Sequence, residues 1–170
     1  MNATIQISST EPDWSREKVR RGKYEPWKRL LAVTRKYQRI KAGKGSRISL
    51  PFLVLQHRFW SGVCGADIPL KTALGGGLIM THPNGIVIHP DAQIGANCLI
   101  FQQVTIGMGR VPGVPVIGGH VDIGAGAKIL GGIRIGDHAQ IGANSVVLRD
   151  VPTGATAVGI PARIIRREFQ

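Results

Sequence analysis

From Ile88 onward an aliphatic residue returns at every sixth position: Ile88, Ile94, Ile100 and Ile106, then Ile117, Ile123, Ile129, Ile135, Ile141 and Val147. Nine isoleucines and one valine in ten slots constrain the fold more tightly than any other feature of the chain. A second column stands four residues after the anchors, at Ala92, Cys98, Val104, Val121, Ala127, Ile133, Ala139, Ser145 and Val151, and holds small or β-branched side chains. Glycine follows the anchor at Gly95, Gly107, Gly118, Gly124, Gly136 and Gly142. Period six is neither the 3.6 of a helix nor the long two-residue alternation of a hairpin strand. Short strands joined by tight corners satisfy it, with the anchor pointing inward and glycine relieving crowding where the backbone turns. Three such units close one triangular coil of 18 residues. Coils then stack as parallel strands about 4.8 Å apart, forming a solenoid whose units touch mainly their neighbours. The pattern predicts a mainly β protein, a parallel β-helix. It does not set the handedness; ordinary crossover connections are right-handed.

Composition agrees with such a core. Aromatic residues make up 5% of the 170, and there are 23 glycines, so packing must rest on small and β-branched side chains. Two interruptions mark where the prism departs from regularity. Backward from the repeat, Ile68, Leu74 and Met80 keep the period and Ile86 continues it, yet the register restarts at Ile88. Between Ile106 and Ile117 the spacing is 11, which leaves five residues beyond a normal turn. The insert at 108–115 must leave the prism as a loop, and loops on rigid scaffolds are where binding and chemistry concentrate.

The formal net charge of +12 is uneven, with thirteen of the 22 Lys and Arg residues between Arg16 and Arg47. Residues 1–66 are read as a basic, mostly helical front segment, 67–158 as the β-helix with its loop, and 159–170 as a tail. Trp14 to Gly43 mixes basic residues with Trp27, Leu30, Leu31, Val33 and Tyr37, is broken at Pro26, and precedes a second helix expected over Leu50 to Cys64. Basic and apolar residues together suit contact with an anionic membrane surface through 16–47. They equally suit helices that close the open end of the prism. No nucleic-acid-binding motif accompanies the charge, so no nucleic-acid partner is expected. The apolar run Leu50 to Leu55 is far too short to span a bilayer. With no charged-then-apolar signal pattern at the start, the chain is read as cytoplasmic, peripheral at the inner membrane surface if the front segment binds lipid. Cys64 and Cys98 offer neither metal spacing nor a disulfide framework and are expected to be small buried hydrophobes.

Five histidines are the main candidates for chemistry. His82, in Thr81-His82-Pro83-Asn84-Gly85, stands beside the first interruption, and Asp67 lies fifteen residues earlier. An 18-residue coil puts the two on adjacent rungs, and the offset allows contact across a corner. A carboxylate there would fix the imidazole tautomer and raise its basicity, leaving the other nitrogen to take a proton from a substrate hydroxyl. His120 and His138, eighteen apart, should stack as corner residues. A zinc site of the β-helix carbonic anhydrase kind would need a third ligand and an open position, and no third ligand is evident, so no metal is expected. His57 belongs to the helical front and His89 to a turn. Gly75-Gly76-Gly77 reads as a turn or close-packing run.

These residues lead to a family. The run from Asp67 to Arg163 resembles serine acetyltransferases and their shorter relatives that acetylate exopolysaccharide sugars. The matching stretches are Asp67-Ile68-Pro69, His82 with Gly85-Ile86-Val87, Val104-Thr105-Ile106-Gly107, Ile123 to Gly131, Ile141 to Leu148 and Val158-Gly159-Ile160-Pro161-Ala162-Arg163. The resemblance implies a left-handed β-helix that forms a homotrimer, with acetyl-CoA between neighbouring prisms and no metal. It implies His82 as general base and Asp67 as its orienting carboxylate. It also implies that Gly107, Met108, Ala125 and Ala143 line the pantetheine groove and that Arg163 lies near the CoA end. Direct transfer follows, with backbone N–H groups stabilising the tetrahedral oxyanion. Where the family has an aspartate before the catalytic histidine, this chain has Thr81. Where the family's loop ends in an Arg-His pair before a proline, it has Gly113 and Val114. A zwitterionic acceptor needs charged partners, so these three acceptor-side positions favour a sugar of an exopolysaccharide precursor over serine. A non-catalytic β-helix scaffold and a carbonic-anhydrase-like zinc enzyme are the other readings.

Overall fold

The computed structural model describes residues 7–165. Thirteen short strands form the body: β1 Ala73–Leu74, β2 Val87–Ile88, β3 Gln93–Ile94, β4 Leu99–Ile100, β5 Thr105–Gly107, β6 Val116–Ile117, β7 Asp122–Ile123, β8 Lys128–Leu130, β9 Arg134–Ile135, β10 Gln140–Ile141, β11 Val146–Val147, β12 Thr156–Gly159 and β13 Ala162–Ile165. They stack as three parallel faces. The first runs β2-β5-β8-β11 and is extended by a bridge from Asp67 to Val87; the second runs β1-β3-β6-β9; the third runs β4-β7-β10-β12, with β13 added antiparallel at its end. All ten period-six anchors are buried, as are all nine second-column residues. The core is thus a stack of isoleucines flanked by alanine, valine and cysteine, the outcome expected when each coil buries its apolar face on its neighbours.

The pairing register records each interruption. Val87 lies opposite Thr105 and Val116 opposite Arg134, both 18 apart. Ala73 lies opposite Gln93, 20 apart, and Thr105 opposite Lys128, 23 apart. One expectation is corrected in detail. Ile86 does not continue the anchor series; it takes the second-column place beside Val104, with Asp67 N–H donating to Ile86 O at 2.8 Å and Val87 N–H to Val104 O at 2.9 Å. The two extra residues are absorbed in the corner that carries His82.

Corners repeat a left-handed backbone residue. Between the second and third faces these are Gly77, Asn97, His120, His138 and Gly154, and between the third and first they are Gly85, Gln103, Gly126 and Asn144. Every one of these residues except Gly77, on the first rung, donates its N–H to the rung before it, as His120 does to Ala96 O at 2.7 Å and His138 to Gly119 O at 2.9 Å.

Two helices close the first coil. Helix α1, Pro26–Lys41, begins on a proline, which loses no hydrogen bond there, and buries Trp27, Leu30, Leu31 and Thr34 at helical spacing. Helix α2, Leu50–Cys64, buries Leu53 and Cys64 and ends at Gly65 in the left-handed conformation. Their polar side chains, together with Glu17 from the segment before α1, take up the backbone groups that a first rung leaves without a strand. Gln38 donates to Leu70 O at 3.0 Å and Thr72 O at 2.9 Å, and Arg35 donates to Leu74 O and to Gly75 O. His57 Nε2 bonds Ile68 O at 2.9 Å, and Leu78 N–H donates to Glu17 Oε1 at 3.0 Å. Glu17 in turn pairs with Arg35 at 2.9 Å, both largely out of water.

Before α1 the chain forms a strap along the corner between the second and third faces. Asn97, 1% exposed, holds it: Asp13 N–H donates to Oδ1 at 2.8 Å, and Nδ2 donates to Ser8 O and Glu11 O, both at 2.8 Å. Arg16 donates to Asn97 O at 2.6 Å. Gly119 and Gly76 lie against Ser9 and against Pro12 and Trp14, positions a Cβ would occupy.

Candidate active site

The corner between the third and first faces gathers most of the candidate residues. It begins in the widened turn Thr81–Gly85, where His82 is exposed, Pro83 is buried and Ile86 N–H closes back on Pro83 O at 3.1 Å. Directly along the prism follow Gln103, then Ala125, then Ala143, linked by Gln103 N–H to Asn84 O, Gly126 N–H to Gln102 O and Asn144 N–H to Ala125 O. His82, Ala125 and Ala143 therefore share one edge. The first face beside this edge presents an outward ribbon of Asp67, Val87, Thr105, Lys128 and Val146. Lys128 Nζ donates to Gln103 O at 2.6 Å, which fixes a cation at the edge.

Asp67 stands on this ribbon, one rung before Val87, and no hydrogen bond or ion pair joins it to His82 within the chain. Its carboxylate acts instead on His57. Burial pushes the His57 pKa below the usual histidine value, opposed by the hydrogen bond to Ile68 O and by the Asp67 charge.

Gly107 and Met108 occupy the other edge of the first face. A Cβ on Gly107 would meet nothing within 4 Å, and its backbone is not in the left-handed region, so the fold itself does not require glycine there. Met108 is 68% exposed. The loop that follows does not stand away from the prism. Gly131 N–H donates to Gly107 O and Gly132 N–H to Val111 O, folding the insert over the next rung. Gly113 and Val114 consequently sit at the edge opposite Thr81 and His82, because the insert follows β5, where the first face ends, whereas Thr81 precedes β2, where it begins. A single chain does not bring those three acceptor-side positions together. Arg163 is exposed on β13, opposite Val158 at the far end of the third face.

His120 and His138 stack on the remaining corner as the spacing implied, and their rings form a bonded pair. Their Nδ1 atoms are 2.8 Å apart, so one ring carries the shared proton and the other accepts it. Burial holds the His120 pKa below the usual value; Asp122 opposes this, and His138 and Arg16 add to it. Among the described residues no group of three or more His, Cys, Asp or Glu side chains could hold a metal ion. Burial pushes both thiols, Cys64 and Cys98, up to about 11, which leaves them unreactive near neutrality.

Sequence reasoning missed one feature. Thr81 opens onto a cleft of about 500 Å³ whose opposite wall is the front segment, including Arg16, Arg20, Tyr24, Glu25 and Lys28. Only the cluster of basic and aromatic residues hinted at it, and that cluster does not reveal which part of the prism it faces.

The bacterial transferase hexapeptide family (six repeats) matches residues 115–149. The serine acetyltransferase of Synechococcus elongatus is 48% identical over 106 residues, covering 61% of this chain and 43% of that protein. That of Helicobacter pylori strain J99 is 43% identical over 109 residues, covering 62% of this chain and 64% of that protein. In three dimensions, a serine acetyltransferase in complex with CoA superposes with a TM-score of 0.71 at 34% identity, over 84% of this chain and 58% of that one. The chain is serine acetyltransferase-like. The soybean serine acetyltransferase apoenzyme agrees, with a TM-score of 0.70 at 38% identity over the same shares. The architecture of this serine acetyltransferase-like chain is the left-handed parallel β-helix of hexapeptide repeats. It spans less than two thirds of the length of each of these relatives.

Proposed function

We propose that the protein is an acetyl-CoA-dependent O-acetyltransferase that transfers the acetyl group directly to an acceptor hydroxyl. The observation that carries this reading is the shared edge of His82, Ala125 and Ala143, in a chain whose relatives are named serine acetyltransferases and include one in complex with CoA. In this mechanism His82 takes the hydroxyl proton, the oxygen attacks the thioester carbonyl, and the C–S bond breaks as the sulfur leaves and is protonated. Asp67 orients His82 once the acceptor is bound, since catalytic hydrogen bonds commonly tighten only in the complex. Backbone N–H groups stabilise the oxyanion. Acetyl-CoA is the co-substrate, its pantetheine passing Gly107, Met108, Ala125 and Ala143, with Arg163 toward the CoA end.

The assembly proposed is a homotrimer with the groove between prisms. A neighbour's loop at 108–115 then faces the His82 edge, which reconciles the separation of Gly113 and Val114 from Thr81 within one chain. Neutral groups at all three positions favour a sugar hydroxyl of an exopolysaccharide precursor over serine. The test is release of free thiol from acetyl-CoA against serine, homoserine and a panel of sugars. His82→Ala should lower kcat by about 10²–10⁴-fold with the true acceptor; full activity would overturn the general-base assignment.

The basic front segment is further proposed to meet an anionic membrane surface at the cytoplasmic side. Residues 26–66 hold nine Lys and Arg and no Asp or Glu, and α2 exposes Phe52, Leu55, Phe59 and Val63 beside them. Among the described residues no helix is long and apolar enough to cross a membrane. Flotation with anionic but not neutral vesicles is the expected result; no flotation with either removes the proposal.

A further inference from the structure

The cleft beside Thr81 has a composition that the acetyl-transfer chemistry does not call for. One wall is prism, Ile79 and Thr81; the other comes from the front segment. Three cations line it, Arg16, Arg20 and Lys28, against one carboxylate, Glu25, and the difference of three positive and one negative charge leaves it net basic. The four charged groups are not equivalent. Lys28 is spent on Glu25 Oε1 at 3.0 Å. Glu25 Oε2 is shut off from solvent with no hydrogen-bond partner, an acceptor with nothing to accept. Arg16 is anchored through one nitrogen to Asn97 O, which leaves further guanidinium donors uncommitted. Arg20 is exposed, and among the described residues its guanidinium makes no hydrogen bond or ion pair. Tyr24, also on the rim, is 82% exposed, an unusual position for a ring that nothing covers.

Two of these features each select for one part of a ligand. Guanidinium groups with free donors match phosphate oxygens in charge and geometry. An exposed ring offers an apolar face to the C–H face of a sugar. At about 500 Å³ the cleft falls within the range for small-molecule sites and far exceeds what a free amino acid fills. Thr81, the residue before His82, is part of its lining.

We propose that this cleft binds the phosphate-bearing part of the acceptor, so that the substrate is a sugar carrying a phosphate or diphosphate, held by Arg16 and Arg20 with Tyr24 on the sugar. The inference rests on the reading of His82 as general base only for what happens at the hydroxyl; the cleft binds its ligand whether or not His82 acts. The geometry also suits a neutral Thr81 where the family has an aspartate, because a carboxylate on this wall would repel a phosphate held by Arg16 and Arg20.

The test separates binding from chemistry. Calorimetric titration of the His82→Ala protein with a sugar 1-phosphate, a nucleoside diphosphate sugar and the corresponding free sugar is expected to give binding of at least one phosphate-bearing probe and none of the free sugar. Arg20→Ala should weaken that binding by tenfold or more, Arg20→Lys should restore part of it, and added salt should weaken it further. In the thiol-release assay with wild-type His82, Arg20→Ala and Tyr24→Ala should raise the KM for the phosphate-bearing acceptor while kcat and the KM for acetyl-CoA stay unchanged. A polyprenyl-diphosphate-linked sugar run beside the nucleotide sugar tells a lipid-borne acceptor from a soluble one. Phosphate-dependent binding without acetyl transfer to any acceptor would sustain the cleft and sink the proposed activity. Acetyl transfer to serine or a neutral sugar with an Arg20→Ala KM equal to wild type would sink the cleft and leave the activity standing. Failure of every phosphate-bearing probe to bind would also overturn it.

Discussion

Replacing Asn97 should unfasten the strap while leaving the prism standing. Three hydrogen bonds of 2.8 Å converge on this one amide, from Asp13 N–H and to Ser8 O and Glu11 O. Asn97→Gly removes all three and keeps the left-handed backbone that its φ of 59° requires. At about 1 kcal/mol net per bond, strap docking should weaken by about 3 kcal/mol, on the order of a hundredfold in its opening constant. Asn97→Ala loses the same bonds and adds roughly 1 kcal/mol for forcing an alanine into that conformation, a cost borne by the coil and not by the strap alone. Native-state amide exchange read separately over 7–17 and over the strands distinguishes the two. The expected pattern is faster exchange in the strap of both variants and a further loss of protection in the strands only for Asn97→Ala. Because Arg16 hangs from Asn97 O, the acceptor KM should rise in the glycine variant with the acetyl-CoA KM unchanged. Strap exchange unaltered in Asn97→Gly would show that these bonds do not hold it.

Arg35→Met should cost about 3–5 kcal/mol in denaturant unfolding, since it strips Leu74 O and Gly75 O of their donor and leaves Glu17 buried without its partner; adding Glu17→Gln should recover part of the loss, and a mild effect would mean the carbonyls find water. Gly107→Ala should leave stability within about 0.5 kcal/mol, its Cβ meeting nothing, yet raise the KM for acetyl-CoA; an unchanged KM would place the pantetheine elsewhere. His120 has a folded-state pKa below its unfolded value of 6.5, so its stabilising share is complete above that pH and is lost as pH falls through the folded value. The melting temperature should therefore drop between pH 7 and pH 5, and His120→Asn, which tolerates the left-handed backbone, should flatten the drop.

The prism was legible because its signal is one-dimensional: an inward residue every six positions is the same statement in sequence and in space, and Ile88 to Val147 are buried as that statement requires. The slip at Thr81–Gly85 and the insert at 108–115 were legible for the same reason. What the period could not say is how the front segment meets the first coil. Nothing in the sequence singles out Arg35, Gln38 and Glu17, yet each is turned onto a backbone group of residues 70–78, a pairing set by tertiary packing and invisible in any local pattern. The histidine ladder was half legible: eighteen-residue spacing stacked His120 on His138, but only the left-handed corner backbone brings their nitrogens within bonding distance. Likewise, a spacing of fifteen placed Asp67 and His82 near one edge without deciding whether they touch.

A stack of parallel coils has no intrinsic reason to stop, because every rung offers the next the same row of donors and acceptors. Here the first rung offers almost none: its carbonyls at Ile68, Leu70, Thr72, Leu74 and Gly75 and the N–H of Leu78 are already bonded by His57, Gln38, Arg35 and Glu17. The side chains thus act as a terminator. They give the solenoid a definite length and deny an incoming strand the template on which end-to-end fibre growth depends.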